Sequence, residues 1–247
     1  MKIIPMATDK DHQCFHFKKF SVSHQGCAMK VGTDGVLLGL LAPKGGHRIL
    51  DVGTGSGLVA LLLAQRNDEA LIDGVEIDAS AACQARHNFE ASPWAVRLRS
   101  IHQDIVHFAK EEGHQRMYDV IVCNPPFYAH SPSTASAERD MARLGVSLTA
   151  EELMSSVGLL LSDGGTFTVI IPSDQATDYE RMAWTEGLHL CESVSFCTKA
   201  GKTCKRKMIT FARRAIVGAN SLQLTLMNPD GSRTSEFSAL VSNFYLR

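Results

Sequence analysis

The residues best suited to do chemistry follow a short apolar stretch in DVIVCNPPF, residues 119–127. Asn124 ends the apolar run, and Pro125, Pro126 and Phe127 come directly after it. Because proline lacks a backbone N–H and favours extended geometry in the residue before it, the chain should leave a buried strand stretched out. Carbonyl oxygens and one side-chain amide then lie at the carboxyl end of that strand, where ligands bind in open α/β sheets.

These groups can activate the nitrogen of a planar amine or amide, whose lone pair is delocalised. If the side-chain oxygen of Asn124 and the carbonyl of Pro125 each accept one N–H, the lone pair can point at an electrophile. Phe127 offers a flat face for stacking. The same residues could also form a simple Asn-Pro-Pro turn that ends a strand and has no catalytic role. The sequence upstream is needed to choose between these two interpretations.

A glycine-rich turn lies upstream, between the predicted buried strand RILDV and the predicted helix LVALLLAQR. The turn consists of Gly53, Thr54, Gly55, Ser56 and Gly57. Glycines allow a tight turn and a close approach of the backbone to a ligand. Leu58 stands where a dinucleotide-binding motif needs its third glycine, and Asp51 would repel a pyrophosphate. We therefore expect a ligand with positive charge here instead of NAD.

Carboxylates follow the next two predicted strands. Glu76 and Asp78 end the strand that begins at Leu71, and the first of them stands where a ribose diol is usually held. A solvated strand-end acid is the alternative for Glu76. Asp104, after the third strand, could accept from the amino group of an adenine or cap the following helix, and both roles are compatible.

Composition indicates an ordinary globular chain of 247 residues, 45% hydrophobic and 21% charged, with a formal net charge of −1. Its length suits one full-sized core, and no apolar run reaches the roughly 20 residues that span a bilayer. We expect a monomer in the cytoplasm, with its seven scattered cysteines as free thiols. His12, Cys14 and His16 would share one face of a strand, but with no fourth ligand nearby we expect no metal.

Strands alternate with helices along most of the sequence, which predicts an α/β fold with a doubly wound, mostly parallel sheet. Thr33 is the expected N-cap of a helix before the glycine turn, and Thr149 with Glu152 predicts a capping box. The strands near 189–197 and 208–212 are too close for a helical crossover, so we expect an antiparallel hairpin. We divide the chain into an extension (1–43), a core (44–214) and a strand-turn-helix appendage (215–247), which together form one globular unit.

Basic residues gather in three places, although the overall charge does not indicate nucleic acid. They are Lys18, Lys19 and Lys30 near the N-terminus, Arg139 and Arg143 in a long polar loop, and Lys202, Lys205 and Arg206 between the last two core strands. A loop of that length in a compact domain is typically a lid or disordered. The charges between the strands are either solvated or bind phosphate.

In this order, DVGTGSG, Glu76, Asp104 and NPPF resemble the class I S-adenosylmethionine-dependent methyltransferases. The N-terminal FKKFSVSHQGCAMKVGTDGVLLG and the tail ending in NFYL resemble, more narrowly, the bacterial tRNA1(Val) adenine-37 N6-methyltransferase family. The resemblance implies a Rossmann-like, seven-stranded sheet with an antiparallel last strand, tRNA as substrate and S-adenosylmethionine as cofactor.

The resemblance also implies roles for individual residues. Asp51, Gly53 and Gly55 would line the methionine end of the cofactor, Glu76 would hold its ribose and Asp104 its adenine. The remaining cofactor-binding residues would be Thr54, Gly57, Asp78 and Asn124. Asn124, Pro125 and Phe127 would hold the target base. Many adenine-modifying relatives carry tyrosine after the two prolines, so a hydroxyl contact does not follow at Phe127.

Four alternatives remain. A protein-glutamine N5-methyltransferase uses the same Asn-Pro-Pro logic but usually carries a larger N-terminal domain, and a methyltransferase of guanine N2 in RNA is close in chemistry. A catalytically silent binding module would not need Asn124. A DNA adenine methyltransferase would need a base-reading domain, for which little of the chain remains.

Overall fold

The computed structural model describes residues 14–25, 27, 30–125, 148–215 and 218–246. The strands are β1 (Cys14–His16), β2 (Ser21–Ser23), β3 (Arg48–Val52), β4 (Leu71–Glu76), β5 (Leu98–His102), β6 (Tyr118–Cys123), β7 (Leu161–Pro172), β8 (His189–Lys199), β9 (Arg206–Ala212) and β10 (Asn220–Met227). The α-helices are α1 (Thr33–Leu41), α2 (Leu58–Arg66), α3 (Ala79–Glu90), α4 (Ile105–Phe108), α5 (Ala150–Leu160), α6 (Ala176–Thr185) and α7 (Ser235–Val241). Two 3-10 turns lie at Ala95–Arg97 and Ser173–Gln175.

Strands β3 to β10 form one sheet in the order β10-β8-β9-β7-β6-β3-β4-β5. Strand β9 runs antiparallel to β7 and to β8, and the remaining neighbours in this sheet are parallel. The α/β class, the mostly parallel sheet and the antiparallel hairpin are therefore confirmed. The sheet has eight strands within the described residues and not the expected seven, because β10 of the appendage pairs with β8.

The central strands carry apolar side chains on both faces, and this explains why helices cover both faces of the sheet. Ile49 and Val120 belong to one buried cluster, whereas their chain neighbours Leu50 and Ile121 belong to the other. Successive side chains of a strand point to opposite faces, so apolar residues at every position need cover on both sides. Helices α1, α2, α3 and α7 pack on the first face, and α4, α5 and α6 on the second.

The predicted helix starts differ in outcome. The capping box of α5 is confirmed, since Thr149 Oγ1 accepts from the N–H of Glu152 and the Glu152 carboxylate accepts from the N–H of Thr149. The prediction that Thr33 caps α1 is wrong. Thr33 is the first helical residue and is buried, while the N-cap position is taken by Gly32 in extended geometry.

The two ends of the described chain meet beside the first face. Strands β1 and β2 pair as an antiparallel hairpin, Phe17 forms a β-bridge with Tyr245, and the N–H of Lys18 donates to the carbonyl of Phe244. Phe17 also stacks on Phe20 with 4.5 Å between ring centroids. The division of the chain at residues 43 and 214 stays a prediction.

The expectation of seven free thiols is wrong for one pair, because Cys197 and Cys204 form a disulfide. Phe196 of β8 pairs with Arg206 of β9, so both cysteines come to the base of the connecting loop, with their Cα atoms 4.1 Å apart. The other five cysteines form no disulfide among the described residues. No described helix has the length and apolarity to cross a membrane, and no described group of His, Cys, Asp and Glu could hold a metal ion.

Candidate active site

The candidate site lies where strands β3, β4 and β6 end at the same edge of the sheet. Val52 of β3 pairs with Val75 of β4 on one side and with Cys123 of β6 on the other. The next residue of each strand is Gly53, Glu76 or Asn124. Parallel pairing therefore brings the glycine turn, a carboxylate and an amide together, as the sequence predicts.

Within the glycine turn, Gly53 and Gly55 have left-handed backbones with φ of 68° and 57°. A Cβ added at either position would meet no described atom within 4 Å. Glycine is needed there for its backbone angles, and the turn leaves open space on that side. The N–H groups of Gly53 and Thr54 both donate to the carbonyl of Val75, which fixes the turn to the end of β4.

Gly57 has a different task, because it is the N-cap of α2 and lies against Phe89 of α3. Its φ is 83°, and an added Cβ would lie 2.4 Å from Cε1 of Phe89. The absence of a side chain lets α3 pack closely beneath the turn.

Asp51 is buried beneath the turn, where its Oδ2 accepts from Oγ1 of Thr54 at 2.7 Å and from the N–H of Ala60 at 3.2 Å. Burial raises the pKa of Asp51 to about 7, and the charge of Glu76 adds to the increase. The Thr54 side chain occupies the space beside Gly74, where an added Cβ would approach it to 2.8 Å. Thr54 thus supports the turn from below, and its role towards a cofactor stays a prediction.

Glu76 braces the outer side of the turn with both carboxylate oxygens. Its Oε2 accepts from the N–H of Gly55 at 2.8 Å, and its Oε1 accepts from the N–H of Asp78 at 3.0 Å. Cys27 lies nearby: the pKa of its thiol is raised by burial and then by the charges of Glu76 and Asp78. Cys27 therefore lies on this side of the site.

Asp78 and Asp104 are both helix N-caps. Asp78 Oδ1 accepts from the N–H of Ala81 in α3, and Asp104 Oδ1 accepts from the N–H of Val106 in α4, each at 2.7 Å. The capping role that the sequence allowed for Asp104 is confirmed. The second oxygen of Asp104, Oδ2, lies 3.7 Å from Nδ1 of His107. The contacts of Asp78 and Asp104 with a cofactor stay predictions.

Asn124 carries the most informative atom of the site. Its Oδ1 is buried and has no hydrogen-bond donor within the described part of the chain. A buried polar atom without a partner costs about 1–3 kcal/mol, so Oδ1 of Asn124 calls for a hydrogen-bond donor beyond the described residues, and a substrate N–H is one such donor. Pro125 follows with its carbonyl at the same edge, while Pro126 and Phe127 lie outside the described residues.

The predicted basic residues separate into groups. Strand β8 runs parallel to β7, because β9 is antiparallel to both, so the loop with Lys202 and Lys205 lies at the edge that carries Asn124. Both lysines are exposed, as is Lys30 between Cys27 and α1. Arg206 instead pairs with Asp34, with 2.8 Å between Nε and Oδ2.

Two of the predicted basic residues lie at the other end of the molecule, and two lie outside the description. Lys18 Nζ donates to the carbonyl of Ser242. The carbonyl of the next residue, Asn243, accepts from Gln65, which lies at the end of α2 that is remote from the glycine turn. Lys19 is exposed beside Lys18. Arg139 and Arg143 lie outside the described residues, so their roles stay predictions.

Sequence reasoning missed Asn88, which connects the glycine turn to the N-terminal hairpin. Its Nδ2 donates to the carbonyls of Ser56 and Ser23, both at 2.7 Å, and its Oδ1 accepts from the N–H of Ser23. Asparagine is a weak helix former. Its presence near the end of α3 is therefore a sequence signal that its side chain forms hydrogen bonds outside the helix.

Comparison with known proteins agrees with this geometry. Residues 27–182 match the family model described as the methyltransferase small domain. Among solved structures, a predicted O-methyltransferase from Agrobacterium tumefaciens has a TM-score of 0.65 at 16% identity, covering 85% of this chain and 95% of its own. The 16S rRNA N2 G1207 methyltransferase of T. thermophilus, in complex with AdoMet and guanosine, has a TM-score of 0.56 at 23% identity. The match covers 79% of this chain and 47% of that one. At these identities the two structures support the fold.

Two curated relatives are much closer. The tRNA1(Val) (adenine(37)-N6)-methyltransferase of Photorhabdus laumondii is 42% identical over 94% of this chain and 95% of its own length. The enzyme of the same name from Serratia proteamaculans is 41% identical over 94% and 89%. With this identity over nearly the full length of both chains, the protein belongs to the tRNA1(Val) (adenine(37)-N6)-methyltransferase family.

Proposed function

We propose that this protein transfers a methyl group from S-adenosylmethionine to N6 of adenine-37 in tRNA1(Val). The observation that carries the proposal is the buried Oδ1 of Asn124, which has no hydrogen-bond partner among the described residues and lies at the same sheet edge as the glycine turn and Glu76. Membership of the family supplies the substrate, because the relatives that share 42% identity carry this activity in their names.

The residues at the edge fit S-adenosylmethionine. Gly53 and Gly55 leave an open side in the turn, Glu76 presents a carboxylate to a ribose diol, and Asp104 has a second oxygen for an adenine amino group. Asp51 adds negative charge beneath the turn, which favours a cationic ligand. When bound, S-adenosylmethionine would supply an electrophilic methyl carbon on positively charged sulfur, and loss of that methyl group would leave the neutral thioether S-adenosylhomocysteine.

Asn124 and Pro125 prepare the amine of the target base. The Asn124 Oδ1 accepts one N–H of the N6 amino group, and the Pro125 carbonyl accepts the other. Held by two acceptors, the nitrogen turns its lone pair out of conjugation with the ring and towards the methyl carbon. Neither acceptor is a base, so the proton that the amine loses passes to solvent. The rate enhancement comes from positioning and from fixed dipoles.

The target adenine has to leave its stack to reach Asn124, and an anticodon loop allows this at a cost of only a few kcal/mol. Phe127 is proposed to stack on the extruded base. Lys30, Lys202 and Lys205 are proposed to contact the phosphates around it, together with Arg139 and Arg143 from the segment between β6 and α5. We propose that the protein works as a monomer in the cytoplasm.

The test is to incubate the protein with labelled S-adenosylmethionine and total tRNA from a strain that lacks the gene. Nucleoside analysis should show N6-methyladenosine, and purified tRNA1(Val) with adenine-37 replaced by guanine should accept no label. Label in N2-methylguanosine would reassign the target atom. Label in a glutamine peptide but in no RNA would instead establish a protein-glutamine methyltransferase.

A further inference from the structure

An ion pair joins two elements far apart in the sequence at the rim of the site. Nε of Arg206, the first residue of β9, donates to Oδ2 of Asp34 in the first turn of α1 at 2.8 Å. The Arg206 side chain is 32% exposed and the Asp34 side chain 20%, so solvent screens the pair only in part. Arg206 stood among the predicted phosphate-binding residues, but its guanidinium is engaged within the protein.

The Arg206 end of this pair is held firmly. Arg206 stands opposite Pro172 of β7 and Phe196 of β8 in the sheet. The loop just before it is tied to the end of β7, since Ser173 Oγ donates to the carbonyl of Cys204 and the Ser173 N–H donates to that of Lys205. The guanidinium therefore extends from a rigid part of the sheet edge.

The Asp34 end lies beside Asn124. Asp34 precedes Gly35, and a Cβ added at Gly35 would lie 3.2 Å from Cδ2 of Leu58 and 3.8 Å from Nδ2 of Asn124. The first turn of α1 thus forms a wall next to the Asn124 amide. This turn begins at Gly32 without a capping side chain among the described residues, so the bond from Arg206 is its side-chain anchor.

We propose that Arg206 and Asp34 are positioning residues that hold the first turn of α1 against the amide of Asn124. The inference rests on the proposed function, in which Oδ1 of Asn124 accepts an N–H of the target amine. With the pair intact, Gly35 and Leu58 limit the rotation of this amide. Without it, the turn moves and the acceptor loses its alignment, which slows turnover more than it weakens RNA binding.

Steady-state kinetics on tRNA separates this role from phosphate binding. Arg206→Ala and Asp34→Ala should each lower kcat at least about tenfold with little change in KM for tRNA. The reversed pair, Asp34→Arg with Arg206→Asp, should recover most of the lost kcat. Lys205→Ala, the matched control at the neighbouring residue, should raise KM and leave kcat unchanged. If Arg206→Ala raises only KM, and the reversed pair behaves no better, Arg206 binds phosphate and the positioning role is overturned.

A second measurement does not depend on activity. The side-chain NH₂ signals of Asn124 in a ¹H–¹⁵N spectrum can be assigned by their loss in Asn124→Ala. They should shift in Arg206→Ala, return towards their original position in the reversed pair and stay in place in Lys205→Ala. Signals that stay in place in Arg206→Ala would overturn the inference at any level of activity. If the wild type methylates no tRNA, the proposed function fails, and these signals still decide whether the pair positions Asn124.

Discussion

The backbone N–H of Gly55 donates to Oε2 of Glu76 over 2.8 Å, so the glycine turn and the end of β4 are one rigid unit. The same carboxylate accepts from the N–H of Asp78 through its other oxygen. Glu76 therefore has two tasks in this account. It fixes the glycine turn, and we propose that it presents its remaining lone pairs to the ribose of the cofactor.

Replacing Glu76 with alanine should weaken the binding of S-adenosylmethionine and of S-adenosylhomocysteine by about 1.5–3 kcal/mol, the usual loss for hydrogen bonds to a charged group. Calorimetry measures this directly. Glu76→Gln should lose less, because its amide oxygen can still accept from Gly55. Glu69→Ala removes an exposed acid before β4 and serves as the control. Equal affinity in wild type and Glu76→Ala would show that Glu76 does not hold the ribose.

Gly57→Ala should destabilise the protein for two separable reasons, a left-handed backbone and a collision with Phe89. Gly187→Ala is the matched control, since its φ is 69° but an added Cβ meets no described atom within 4 Å. The control should lose about 1–2 kcal/mol of unfolding free energy from the backbone alone. Gly57→Ala should lose about 1–3 kcal/mol more through overpacking. Equal losses in urea denaturation would mean that Phe89 moves aside without cost.

Much of the fold follows from local sequence. The strand RILDV and the helix LVALLLAQR lie at the residues predicted, because apolar patterning and glycine both act within a few neighbours. The place of Asn124 beside the turn follows from the parallel pairing of β3 with β6, two strands that are neighbours in a doubly wound sheet although β4 and β5 separate them in the chain. The cap of α1 was misplaced by one residue, since Thr33 is buried by tertiary packing that its local sequence does not reveal.

What could not be predicted depends on contacts between distant parts of the chain. In the sequence, Arg206 is one of several basic residues in a short stretch. Only the fold shows that it pairs with Asp34, 172 residues away. Lys18 and Lys202 look alike in the sequence, but they lie at opposite ends of α2 and of the sheet, and Lys18 is bonded to the tail. Strand β10 resembles a separate appendage because nothing local shows that it pairs with β8.

Asp51 should make the stability of the protein depend on pH. Burial raises its pKa from the ordinary 3.8 to about 7, so between these values the folded state binds more protons at this residue than the unfolded state does. The contribution of Asp51 to stability therefore falls as pH rises from about 4 to 7 and is constant above that range. Asp51→Asn keeps an oxygen that can accept from Thr54 and Ala60 but does not titrate. At pH 8 it should be more stable than wild type, by ~4 kcal/mol at most.

Denaturant unfolding of both proteins at several pH values measures this difference. The two curves of stability against pH should diverge between pH 4 and 7, with the wild type falling relative to Asp51→Asn. Parallel curves would show that Asp51 ionises normally. Calorimetry with S-adenosylmethionine at pH 8 should also show weaker binding by Asp51→Asn, because the variant lacks the negative charge beneath the turn.

Lys202 and Lys205, at the sheet edge that carries Asn124, should govern the salt dependence of tRNA binding. Replacing Lys202 and Lys205 together with alanine should weaken binding and flatten the slope of log affinity against log salt by about one unit per lost phosphate contact. Cofactor affinity should not change. The paired replacement of Lys18 and Lys19 is the comparison, and we expect a smaller effect from that distant surface. If the Lys202 and Lys205 variant matches wild type at every salt concentration, these charges are solvated.

The role of Asn124 in orienting the target amine is tested most directly by the turnover of Asn124→Ala on tRNA1(Val), measured together with the affinity of this variant for S-adenosylhomocysteine. We predict that N6-methyladenosine formation is abolished while cofactor affinity stays within a few-fold of wild type, because Asn124 orients the amine instead of holding the cofactor. Asn124→Asp, which keeps an acceptor oxygen but adds charge, should retain more activity than the alanine variant. Near wild-type turnover by Asn124→Ala would contradict the account.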